Sequence, residues 1–89
     1  MSKEIPKQQR YTIETIQTNT KSETVESNCN EIMFVNNSTT DTVTIDNFPL
    51  KPGAFISFGG NKDEICVRKF VVQCPTPGAL WYFRKNYVL

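Results

Sequence analysis

The chain of 89 residues contains no histidine, and that absence removes the base on which most activated serine and cysteine nucleophiles depend. Ser-His-Asp and Cys-His pairs are excluded, together with every histidine-containing metal site. Cysteine is scarce as well. Cys29, Cys66 and Cys74 form no Cys-x-x-Cys knuckle, so a cysteine-only zinc site fails on spacing. No stretch approaches the roughly 18 apolar residues of a membrane span. The opening MSKEIPKQQRYTIE has basic residues but no apolar core behind them. The expectation is a protein made and folded in a cytosol, with free and largely buried thiols. Charge of one sign is also lacking: the net value is +1, which supplies no bulk attraction to nucleic acid or an anionic membrane.

Other chemistries fail on pattern. Asp63-Glu64 sits in a turn and Asp41 and Asp46 flank a strand, which is no basis for a carboxylate dyad. Gly59-Gly60 is followed by Asn61 where a phosphate loop needs lysine. The reading is therefore of a protein that is not an enzyme and that uses no cofactor or metal.

What is present is alternation. From Glu31 to Cys74, short apolar-polar runs are punctuated by Asn-Asn-Ser, Pro-Gly and Gly-Gly-Asn, the signature of half-buried strands with tight connections. Ile32 and Phe34 share one face of a first strand while Met33 and Val35 share the other, so that strand is apolar on both sides and belongs in the middle of a sheet. Asn36-Asn37-Ser38 predicts an exposed turn closing a hairpin with a second strand, in which Val43 and Ile45 point inward and Thr42, Thr44 and Asp46 face water. The overlapping glycosylation patterns of that turn mean only that it is polar. Lys51-Pro52-Gly53 predicts a type II turn, with proline presetting its second position and glycine supplying positive φ at the third. Ala54, Ile56 and Phe58 then face inward, and Ile65 to Cys74 reads as the longest strand, bulged near Arg68 and Lys69. Pro75-Thr76-Pro77-Gly78 ends it. Ala79 to Leu89 is a last strand carrying Trp81, Tyr82, Phe83 and Tyr87.

The fold class that follows is all-β, a small antiparallel sandwich or barrel of about five strands. Residues 29–89 form the β-module. Residues 1–28 differ in composition, being rich in Lys, Glu, Gln, Ser and Thr, and are expected to form an extended or disordered N-terminal arm. A domain of this size leaves much of its surface wet, so a partner or self-assembly would stabilise it.

The run Ile32-Met33-Phe34-Val35-Asn36-Asn37-Ser38-Thr39-Thr40-Asp41-Thr42-Val43-Thr44-Ile45, followed by Leu50-Lys51-Pro52-Gly53 and Phe55-Ile56-Ser57-Phe58-Gly59-Gly60, resembles small virion proteins of tailed bacteriophages that infect gut Bacteroidetes. The likeness covers about half the chain. It implies a capsid, neck or tail accessory protein, located in the virion and in the host cytoplasm during assembly. The partners implied are other virion proteins and further copies of the chain, with no membrane. Tyr11, Ile13 and Ile16 in the arm, with Trp81, Tyr82 and Tyr87 in the last strand, are the expected partner-binding residues. An alternative is a single-stranded nucleic-acid binder. Every charged side chain after Ile65 is basic, so Trp81 and Tyr82 would stack bases while Arg68, Lys69, Arg84 and Lys85 track phosphates.

Overall fold

The computed structural model describes residues 10–88, which form eight strands and no helix. They are β1 (Arg10–Gln17), β2 (Ser22–Glu26), β3 (Glu31–Asn36), β4 (Val43–Ile45), β5 (Phe48–Leu50), β6 (Phe55–Gly59), β7 (Lys69–Gln73) and β8 (Leu80–Val88). Two four-stranded antiparallel sheets result, ordered β1-β8-β3-β6 and β2-β7-β4-β5. The all-β sandwich is as expected. The strand number is eight rather than about five, because two short strands and two pairings over long sequence distance leave little local signal.

The two sheets bury alternate residues against each other. Ile32 and Phe34 of β3 with Leu80 and Tyr82 of β8 meet Val25 of β2, Val43 and Ile45 of β4, Leu50 of β5, and Phe70 and Val72 of β7. At the centre Phe34 and Phe70 pack edge to face with ring centroids 5.1 Å apart, and Phe58 lies 4.8 Å from Phe70. Aromatic pairs in this geometry contribute beyond their buried area.

Only β4 and β5 are joined as a hairpin. Asp46 and Asn47 hold positive φ, 50° and 66°, the conformation of a two-residue turn whose twist matches its strands. Every other connection crosses between sheets. The hairpin expected after β3 is therefore corrected: β3 pairs β6 and β8, whereas β4 lies in the opposite sheet. The reason is Asn36. Its side chain is fully buried, donating from Nδ2 to the Asp41 and Leu50 carbonyls at 2.8 Å each and accepting from the Ser38 N–H at 2.9 Å. An amide that meets its hydrogen-bonding needs inside a corner turns the chain from one sheet to the other, so the expectation of an exposed turn fails at Asn36.

Other crossings use the same device. Thr18 Oγ1 donates to the Leu80 carbonyl, and Ser27 Oγ donates to the Cys66 carbonyl and accepts from the Arg68 N–H. Asn30 donates to Glu64 O at 2.8 Å and accepts from the Tyr87 N–H at 2.8 Å. All three side chains are buried. Ser27 also explains why Ile65–Cys74 is not one strand: by engaging the Arg68 backbone it interrupts the run, leaving Cys66 in a lone bridge to Cys29 and starting β7 at Lys69.

The type II turn is present, with Gly53 at φ 78° and the Ala54 N–H bonded to the Lys51 carbonyl. Of the residues expected as an arm, 10–17 and 22–26 are the strands β1 and β2, each taking an edge of a different sheet, with Val25 in the core. Residues 1–9 of the expected arm lie outside the described residues.

Candidate docking face

Along β8 the parity that buries Leu80 and Tyr82 turns Trp81, Phe83, Lys85 and Tyr87 to the opposite side of the sheet. Register then builds a grid on that outer face. Gln17, Trp81, Val35 and Phe55 form one row across the four strands; Thr15, Phe83, Met33 and Ser57 form the next; Ile13, Lys85, Glu31 and Gly59 form a third. Tyr11 stands opposite Tyr87 beyond it. No described strand packs over this grid, yet it is largely apolar. Phe55, Ile13 and Tyr11 are 68%, 54% and 51% exposed, Thr15, Gln17 and Ser57 are exposed as well, and Trp81, Val35, Phe83, Met33 and Tyr87 are half-buried.

Two depressions indent the face. One is lined by Ile13, Thr15, Glu31, Met33, Phe83 and Lys85, the other by Val35, Asn37, Trp81 and Phe83. Phe83 forms part of both, so they make one shallow trough across the middle of the sheet. Its polar rim lies at one end. The Lys85 ammonium stands 4.4 Å from the Tyr11 ring centre and 4.9 Å from that of Tyr87, and Tyr11 and Tyr87 meet edge to face at 6.3 Å. Tyr87, as hydrogen-bond partner first and through its charge, and then Glu31, hold the Lys85 ammonium above its ordinary 10.5, partial desolvation opposing them. This cation is a fixed feature of the rim at neutral pH.

The expected partner-binding residues divide by parity. Tyr11, Ile13, Trp81 and Tyr87 share the outer face. Ile16 and Tyr82 are paired with each other on the inner face, where Tyr82 is buried and Ile16 packs against the core. Sequence reasoning did not single out Met33, Val35, Phe55 and Phe83 for this role. Signals for three of them were present: β3 is apolar on both faces, which covers Met33 and Val35, and Phe83 shares the parity of Trp81 and Tyr87.

The residues of the nucleic-acid alternative do not share one surface, although the Arg84 guanidinium lies 5.2 Å from the Tyr82 ring centre. Arg68 lies over the Phe58 and Phe70 rings, 5.3 and 4.8 Å from their centres, and pairs with Asp46 at 3.2 Å. Lys69 pairs with Glu26 on the outer face of the other sheet. Arg84 points inward, donating to the Glu26 carbonyl and to Glu14 at 3.0 Å. Tyr82 is buried, and burial first, then the Glu23 and Glu14 carboxylates, push its phenol above the ordinary value against the opposing charge of Arg84. Trp81 and Lys85 remain on the docking face, separated from the arginines by the sheet itself.

Cys29 and Cys74 are buried, Cys66 is half-buried, and all three are free thiols. Burial pushes the Cys29 and Cys74 thiols above the ordinary 9.0, which leaves them protonated and poor nucleophiles at neutral pH. Among the described residues no three acidic or cysteine side chains converge on a metal position, and no helix is long and apolar enough to cross a membrane. Comparisons with protein families, with curated proteins and with solved structures found no match to this chain.

Proposed function

We propose that this chain is a non-enzymatic structural or accessory protein of a phage virion, which docks on other virion proteins through the outer face of the β1-β8-β3-β6 sheet. The observation that carries the reading is the apolar trough: Ile13, Met33, Phe83, Trp81, Val35 and Phe55 form a continuous band across the four strands. A contiguous apolar patch rimmed by polar groups is characteristic of a surface that another macromolecule covers. Its aromatic and methionine content matches the buried centre of protein interfaces. The phage assignment rests on the resemblance of residues 32–60 to small virion proteins; docking rests on the face.

The test is quantitative mass spectrometry of gradient-purified particles whose genome encodes the chain, with wild type compared against Phe83→Ser and Met33→Ser. Multiple copies per particle are expected for wild type. The variants should fold and accumulate but be depleted from particles at least about tenfold, the loss expected when a central interface residue is truncated. Folded variants incorporated at the wild-type level would reject the docking face. A wild-type protein missing from particles would reject the virion role.

A further inference from the structure

A sandwich of two open sheets has four edge strands, here β1, β6, β2 and β5, and exposed edges invite pairing with another chain unless something blunts them. Three of the four are blunted. β5 is three residues long and contains Pro49. β6 closes on Gly59 and Gly60 at φ 85° and 113°, which turns the chain off the sheet. β2 has five residues, two of them glutamates. β1 is different: eight residues, RYTIETIQ, with no proline, glycine or lysine, in unbroken register with β8 from Arg10↔Val88 to Gln17↔Trp81.

The ladder tells which backbone groups of β1 face away from β8. The Thr18 N–H bonds the Leu80 carbonyl at 2.9 Å, one step beyond the last register pair of the strand. Bonded pairs alternate in an antiparallel ladder, so Arg10, Thr12, Glu14 and Ile16 direct their backbone groups to β8. Those of Tyr11, Ile13, Thr15 and Gln17 point to the open edge.

We infer that β1 is a self-complementary edge that pairs antiparallel with β1 of a second copy, the two-fold axis passing through Thr12. In that register Tyr11 faces Ile13, Thr12 faces Thr12 and Arg10 faces Glu14, each twice by symmetry or once on the axis. These are the three kinds of cross-strand pair that stabilise antiparallel sheets: aromatic with β-branched, threonine with threonine, and opposite charges. Tyr11 and Ile13 of both copies supply the bonded pairs, as the direction of their backbone groups requires. Sliding so that Ile13 meets Ile13 sets Arg10 against Ile16 and loses the ion pairs. A further step sets Glu14 against Glu14. Glu14 already accepts Arg84 at 3.0 Å while its side chain stays 59% exposed, leaving it accessible to an incoming arginine. The product is a continuous eight-stranded sheet whose two apolar outer faces adjoin.

Strand pairing of this length buries less than the roughly 1,200 Å² at which stable interfaces begin. The dimer therefore fills at high protein concentration, as in a multi-copy assembly. The inference goes beyond the docking role, since the edge and the outer face are tested by different variants.

The experiment is sedimentation velocity of the full chain from about 10 to about 500 µM, a range suited to a weak dimer. Wild type is expected to shift from monomer to dimer. Ile13→Pro removes an N–H that points to the open edge and none that bonds β8, so it should keep the monomer's fold by circular dichroism and lower association at least about tenfold. Arg10→Glu alone should weaken the dimer by about tenfold through like-charge pairs with Glu14 of the other copy, and adding Glu14→Gln, which removes that repulsion without setting a cation against Arg84, should restore it to within about threefold. The charge series stands even if the proline variant misfolds. Phe83→Ser should leave the dimer intact. Wild type that stays monomeric throughout overturns the inference, as does a dimer that survives folded Ile13→Pro or an Arg10→Glu, Glu14→Gln double variant that fails to restore association.

Discussion

The outer faces of the two sheets are built alike and dressed differently. On the β2-β7-β4-β5 sheet the outward residues are Ser22, Thr24 and Glu26, then Lys69, Val71 and Gln73, then Thr44 and Pro49, polar apart from Val71 and Pro49. Polar contacts tie them laterally, as between Lys69 and Glu26 or Thr44 and Gln73. On the β1-β8-β3-β6 sheet the same positions hold Tyr11, Ile13, Trp81, Phe83, Tyr87, Met33, Val35 and Phe55, with Thr15, Gln17, Glu31, Ser57 and Lys85 at the margins of that apolar band. Both faces sit on one core and share one set of corners, so folding does not require the difference. A face that folding leaves apolar at a cost in solubility is the feature on which the docking proposal rests.

The comparison can be broken most forcefully at the shared corners. Asn30→Ala removes the amide that holds the Glu64 carbonyl and the Tyr87 N–H, leaving both without that partner in a buried site. It should cost about 3 kcal/mol, with both faces lost together, as read by urea denaturation. Gly59→Ala belongs with it: φ is 85° and an added Cβ would overlap the Asn30 carbonyl oxygen. A loss of about 2 kcal/mol or more is expected in the same assay. A corner variant of undiminished stability would show that the amides do not hold the sheets together.

A finer contrast comes from matched substitutions. Phe83→Ser and Val71→Ser each place a hydroxyl on an outer face. The first should cost about 1 kcal/mol by denaturation, because Phe83 is half-buried among its neighbours, and should deplete the chain from particles at least about tenfold. The second should cost about 0.5 kcal/mol or less and leave incorporation unchanged. Equal effects on incorporation would erase the distinction between the faces.

Alkali probes the inner side common to both. Burial, with the Cys66 charge adding at Cys29, raises the Cys29 and Cys74 thiols above 9.0, and burial raises the Tyr82 phenol above 10.0. The unfolded chain gives up these protons first, so their stabilising contribution is complete below pH 9 and is lost as pH rises beyond it. Melting temperature should be level from about pH 6 to about pH 8.5 and then fall, and Cys74→Ala should soften the fall. The smallest effect belongs to the polar face: Lys69→Met breaks an ion pair whose side chains are 73% and 56% exposed, and should change stability by about 0.3 kcal/mol or less.

Local pattern carried much of the fold. Val43 and Ile45 point inward as their alternation demands, and Pro52-Gly53 forms its turn because both φ requirements are met by residue type alone. Parity also sorted the docking face in part. Tyr11, Ile13, Trp81 and Tyr87 lie together, while Ile16 and Tyr82, which stand on the other parity, lie behind them. The Asp46-Asn47 hairpin has a local signal, two residues that tolerate positive φ, although alternation alone extends the strand to Asp46. Asn36 had none. An asparagine in a polar run reads as an exposed turn, and only the approach of Asp41 and Leu50 carbonyls makes it a buried corner.

The sequence by itself determined that the chain is all-β, that it lacks the histidine chemistry of common hydrolases, and which residues alternate along each strand, because these follow from residue type and a period of two. Tertiary structure decided which strands are neighbours. β1 reaches β8 across most of the chain and β2 reaches β7 across about half of it, and backbone hydrogen bonds between strands carry no residue code. Side chains on separate strands become one apolar trough only after register is set, and register is a property of the folded sheet.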